Sequence, residues 1–73
     1  MKVDVARLKG TIVTKGMTQG ELSQGMDIDE STFSRKLKTL GNSFTVGEMH
    51  KIVELLDLTA DEAKHIFLAE NSH

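Results

Sequence analysis

Thr-x-x-Glu occurs three times in this 73-residue chain, at Thr18 and Glu21, Thr45 and Glu48, and Thr59 and Glu62, each time ahead of apolar residues at helical spacing. In such a box the threonine hydroxyl accepts from the backbone N–H three residues on, and the glutamate reaches back to the threonine's own N–H. Two donors left over at a helix start are thereby satisfied together. After Thr45, the residues Met49, Ile52, Val53 and Leu56 share one helical face; after Thr59, Ala63, Ile66 and Phe67 do so, in a helix expected to reach about Glu70. Two more helices complete the reading. The first spans about Asp4 to Lys15, with Val5, Leu8 and Ile12 inward and Gly16 at its exit. The other follows Asp29, a good N-cap, and runs to about Leu40, with Phe33, Leu37 and Leu40 buried and Gly41 as its stop. The last three residues are expected to fray.

Proline is absent, only three residues are aromatic, and Val, Ile and Leu recur at helical rather than alternating spacing, which predicts a single all-α domain. No internal repeat, low-complexity tract or linker divides it. Without cysteine the chain has no disulfide to hold it, which fits a reduced compartment. A domain of this size buries only about 60% of its unfolded surface, so oligomerisation would add needed stability. No apolar run approaches the roughly 18 residues of a membrane span and the N-terminus has no signal-peptide core, so a cytoplasmic location is expected. Gly20 and Gly25 weaken the second helix, leaving Leu22 and Met26 to hold it by packing. Gly10 is read as allowing close helix approach, and Met17, Met26 and Met49 as core filler.

From Thr18 to Leu37 the pattern is two short helices around a tight turn. Leu22 and Met26 are four apart, Ile28 lies in the turn, and Phe33 and Leu37 are four apart again, so one apolar surface runs through both helices. Opposite it the second of the two carries Glu30, Ser31, Ser34, Arg35 and Lys38, a polar stripe suited to base edges in a DNA major groove. Thr18-Gln19, Glu21-Leu22, Ser23, Met26-Asp27-Ile28 and Ser31-Thr32-Phe33-Ser34-Arg35 together resemble the helix-turn-helix of the phage repressor and Cro family, the Xre-type regulators. The resemblance covers about residues 5 to 68. It implies a compact five-helix, lambda-repressor-like DNA-binding domain, with a helix-turn-helix at about 18–38, and a small regulator of phage or mobile-element type. One position departs from the pattern: the family usually places glycine in the turn, where this chain has Asp27. Aspartate enters the left-handed region more readily than most residues, at a cost of about 1 kcal/mol.

Candidate base contacts are Glu30, Ser31, Ser34 and Arg35. Arg35 can pair with both acceptors of guanine, the serines suit either base type, and Glu30 can accept from a cytosine amine. The plainer reading of acids at a helix start and bases at its end is that they complement the macrodipole, which accounts for Asp29 and competes for Glu30. Gln19 stands where the family pattern places a phosphate contact, and Thr18 can add one beside its capping role. Lys38, Asn42, Ser43 and Thr45 offer a cation and free backbone N–H groups to a phosphate, though a solvated loop would look the same. Lys36 lies beside the buried stripe and is expected to send its stem past it toward solvent.

Net charge of -2 opposes nucleic-acid binding, but its distribution is uneven. Through Gly41 there are seven basic against five acidic residues; from Asn42 onward there are two against six. The acid excess thus falls in the half expected to face away from DNA. His50 with Glu54, and Glu62 with His65, could each share a helix face, but no third ligand stands near, so neither metal nor other cofactor is expected. No nucleophile–base constellation or phosphate loop is visible and the chain has little volume for an enclosed small-molecule site, so it is not read as an enzyme. The expected partner is double-stranded DNA, with the chain acting as a transcriptional regulator, a repressor that inserts its third helix into the major groove. One such helix reads few base pairs, so a homodimer is expected, with Ile66, Phe67 and Leu68 as its interface because three consecutive apolar residues cannot all face inward. The alternative is a protein-interaction module, or an acidic antagonist of another regulator, that keeps the fold without touching DNA.

Overall fold

The three Thr-x-x-Glu boxes are closed in the computed structural model, which describes residues 3–39 and 44–68. Thr18 N–H donates to Glu21 at 3.0 Å, Thr45 N–H to Glu48 at 2.9 Å and Thr59 N–H to Glu62 at 2.8 Å, and each threonine hydroxyl accepts in return from the glutamate's own N–H. The helices are α1 Val5–Thr14, α2 Gln19–Gly25, α3 Glu30–Lys38, α4 Val46–Leu55 and α5 Ala60–Phe67, with no strand among the described residues. Asp4 caps α1 by accepting from Arg7 N–H at 3.0 Å. Asp29 occupies the N-cap position of α3 but makes no side-chain cap bond, so its expected capping role is corrected: it contributes there through charge and extended backbone alone.

Helix ends are as regular as the starts. After α1, α2 and α4 the chain passes through one left-handed residue, Gly16 at φ 78°, Asp27 at φ 65° and Asp57 at φ 52°. The next residue, Met17, Ile28 or Leu58, then returns its N–H to the carbonyl of Ile12, Ser23 or Val53 at 3.0 Å. This closure satisfies carbonyls that the helix leaves over, and its apolar last residue packs on the core in all three cases. Asp27 therefore does adopt the conformation for which the resemblance expects glycine.

Every helix feeds one core: Leu8, Ile12, Leu22, Phe33, Ile52 and Ile66 are each at most 1% exposed. Burial of side chains this size contributes about 1.5–3 kcal/mol apiece and is the main force holding helices too short to persist alone. Asp4 N–H donates to Ile66 carbonyl at 2.7 Å, tying the start of α1 to α5. Several expectations are corrected. A Cβ on Gly10 would meet nothing within 4 Å, so no helix approaches there; the close approach is at Gly25, where a Cβ would lie 3.0 Å from both δ carbons of Leu55. Helix α3 ends at Lys38, its Thr39 hydroxyl donating to Lys36 carbonyl at 2.7 Å, and Leu40 and Gly41 lie outside the described residues. Helix α5 ends at Phe67 with Leu68 as its C-cap, whereas Glu70 and the last three residues, expected to fray, lie outside the described residues.

Candidate nucleic-acid interface

Phe33 and Leu37, at 0% and 4% exposure, turn one face of α3 fully inward. Because successive helical residues are rotated by about 100°, Ser31, Ser34, Arg35 and Lys38 fall on the other side. Ser31, Arg35 and Lys38 are exposed and Ser34 is half-buried, so these residues form a strip along α3. The Arg35 guanidinium spends one Nη2 donor on Thr32 Oγ1 at 3.4 Å, a long bond that leaves its remaining donors for a ligand. Glu30 is exposed but leans on α2: a Cβ on Gly20 would come within 3.2 Å of its Oε1. Gly20, read from the sequence only as a weak helix former, is thus the space into which the Glu30 carboxylate settles, beside the positive end of the α2 dipole.

Around this strip lie the candidate phosphate contacts. Thr18 is exposed and Gln19 half-buried at the first turn of α2. The Thr18 hydroxyl accepts from Glu21 and keeps its own proton to donate, whereas its N–H is already taken by the glutamate. Thr45 is arranged in the same way, which corrects the expectation that its backbone N–H is open to an anion; by helix geometry, the amides of Val46 and Gly47 are those without an intrahelical acceptor. Asn42 and Ser43 lie outside the described residues. Asp27 and Asp29 flank a shallow cleft of about 400 Å³ with Gln24, Ile28 and Thr32, so the leading end of α3 is acidic and its trailing end basic.

Lys36 does more than pass along the core. Its Nζ lies 3.2 Å from Glu48 Oε1 and 6.0 Å from the centre of the Phe44 ring, joining α3 to the start of α4. Nothing in the sequence pairs two residues twelve positions apart, so this contact is not legible there.

The expected dimer surface is also redrawn. Ile66 and Phe67 are 1% and 6% exposed in the protein's own core, while Leu68, at the C-cap where the helix turns away, stays 48% exposed. With Val46, 63% exposed, Leu68 borders an apolar groove of about 290 Å³ between α4 and α5, floored by Met49, Val53, Ala63 and the edge of Phe67. His50 and Lys64 line its flanks. Among the described residues no three His, Cys, Asp or Glu residues gather as metal ligands, and no helix is long and apolar enough to cross a membrane.

Among the described residues the arrangement is that of a small five-helix all-α domain whose α2 and α3 stand in helix-turn-helix order. The chain matches, over residues 1–70, the family described as "Protein of unknown function (DUF739)", and it belongs to that family. No curated protein and no solved structure matches it.

Proposed function

We propose that the protein is a sequence-specific double-stranded DNA-binding regulator of the phage repressor and Cro-like, Xre-type class, acting as a repressor that covers a promoter. Helix α3 enters the major groove and reads bases through Ser31, Ser34 and Arg35. Thr18, Gln19, Lys38 and Thr45 hold it in register on phosphates. The observation that carries this reading is the outward strip of α3, held by the buried Phe33 and Leu37 and left exposed at Ser31, Arg35 and Lys38. A second copy supplies the other half-site, seated on the groove between α4 and α5. A cytoplasmic location follows from the reading.

Selection from random duplexes at low salt tests it, with a palindrome as the expected product. On the selected site, Arg35→Ala loses about 1–3 kcal/mol of binding and relaxes preference at one base position, with the fold unchanged by circular dichroism. Equal binding by parent and variant would remove α3 from base reading. A second reading is favoured by the acids Asp27, Asp29 and Glu30 at the leading end of α3: the same body binds another regulator as an acidic antagonist. Failure of any duplex to enrich would move the function there.

A further inference from the structure

We propose that Lys36 and Glu48 form a strut that sets the roll of α3 against α4, and that through this strut Lys36 acts as a positioning residue for sequence discrimination rather than as a phosphate contact. The proposal rests on the DNA-binding reading above. The Lys36 and Glu48 side chains are only 19% and 22% exposed, and their charged atoms are 3.2 Å apart. Exposed ion pairs gain little because two long side chains must be frozen and water screens them. Here both costs are reduced. Glu48 Oε1 already accepts from Thr45 N–H at 2.9 Å, so its carboxylate is held by the capping box before Lys36 arrives. The Lys36 ammonium also lies 6.0 Å from the Phe44 ring centre, within cation–π range.

Phe44 in turn packs on Phe33, with ring centres 5.7 Å apart and planes tilted by 56°. Phe33 and Lys36 are one helical turn apart on α3, so that helix is pinned at two successive points to the segment that begins α4. Lys36 is also the immediate neighbour of Arg35. A roll of α3 by about 20° would carry an atom at the helix's outer radius of about 5–6 Å through about 2 Å, more than a hydrogen bond to a base edge tolerates. Glu48 thus connects the base-reading helix, through Lys36, to Thr45, a proposed phosphate contact.

Glu48→Gln is the informative variant, because glutamine also serves in a capping box and keeps the start of α4 while the charge is lost. Removing an acid from a chain of net charge -2 should by charge alone tighten DNA binding. The strut requires the opposite sign: affinity for the selected duplex falls about fivefold or more, and the ratio of selected to random duplex falls with it. Lys36→Met, which retains an apolar stem on Phe44, should lower the same ratio while leaving the salt dependence of binding unchanged. A salt slope reduced by about 1 would place Lys36 on a phosphate and overturn the proposal, as would a Glu48→Gln protein that binds as selectively as the parent. Amide hydrogen exchange in the free proteins reads the strut without DNA: α3 should exchange about fivefold faster in Glu48→Gln while α1 and α5 are unaffected. Unchanged exchange removes the strut itself. A parent that enriches no duplex removes the function proposed above, and with it the strut's part in reading.

Discussion

Glu62 illustrates how one side chain can serve two elements. Its Oε1 accepts from Thr59 N–H at 2.8 Å to close the start of α5 and lies 3.5 Å from Lys15 Nζ at the end of α1. The backbone N–H first, and the Lys15 cation after it, hold its carboxyl below the ordinary value of 4.5. A carboxylate whose folded pKa is depressed contributes stability that is present above the unfolded value and is lost as pH falls through the folded one. Glu62→Gln should therefore be less stable than the parent at neutral pH, since glutamine can fill the box but cannot attract Lys15. The difference should shrink as the solution is acidified past 4.5. Urea melts of both proteins from neutral to acid pH check this, and a gap that stays constant would show that the charge contributes nothing. The Lys15 contact belongs to the class that the sequence could not disclose, whereas the Thr59 contact was legible because its partners are three residues apart.

Connections between elements repeat a single device. After the C-caps Lys15, Met26 and Leu56, the residues Gly16-Met17-Thr18, Asp27-Ile28-Asp29 and Asp57-Leu58-Thr59 each place a left-handed residue, an apolar plug and an N-cap in succession, so helices α1 to α2, α2 to α3 and α4 to α5 are joined by the same four-residue connection. The caps are legible in the sequence and, through the resemblance, so is Asp27; Asp57 is not, because no family pattern draws attention to it. Helix order and most of the core were legible because capping boxes and apolar spacing are local signals. The end of α3, the packing of Gly25 on Leu55 and the partner of Lys36 were not, since each depends on what a distant segment brings. Glycine adopts φ near +60° without the side-chain conflict that an L-residue meets, although it also gives the unfolded chain more freedom. On balance Asp27→Gly and Asp57→Gly should each stabilise the fold by about 0.5–1 kcal/mol, raising the thermal midpoint by a few degrees. A decrease in either would mean that the aspartate carboxylate contributes more at its turn than the strained backbone costs.

At the scale of the whole molecule, the reading strip and the α4–α5 groove use different parts of the surface, so DNA contact and self-association need not compete for the same residues. Val46 and Leu68 are two of the three large apolar side chains left exposed among the described residues, and they border one groove. A second copy suits it by charge as well as by shape. Asp61 precedes the flanking Lys64 by one turn on α5, so that cation has a carboxylate on the same helix to meet across a two-fold axis. A two-fold pair would also present two copies of α3, which is what reading a palindrome requires. Since both side chains are about half exposed or more, Val46→Asp and Leu68→Asp should change the monomer's stability by no more than about 0.5 kcal/mol. Sedimentation equilibrium should show the parent passing from monomer to dimer with concentration and the double variant remaining monomeric. On a palindromic duplex the double variant should bind its two half-sites independently, and should lose more affinity there than on an isolated half-site, where only the repulsion of its two added carboxylates acts. Dimerisation undiminished in the double variant would exclude this groove as the interface, and a parent that stays monomeric even on the palindrome would exclude the two-fold pair altogether.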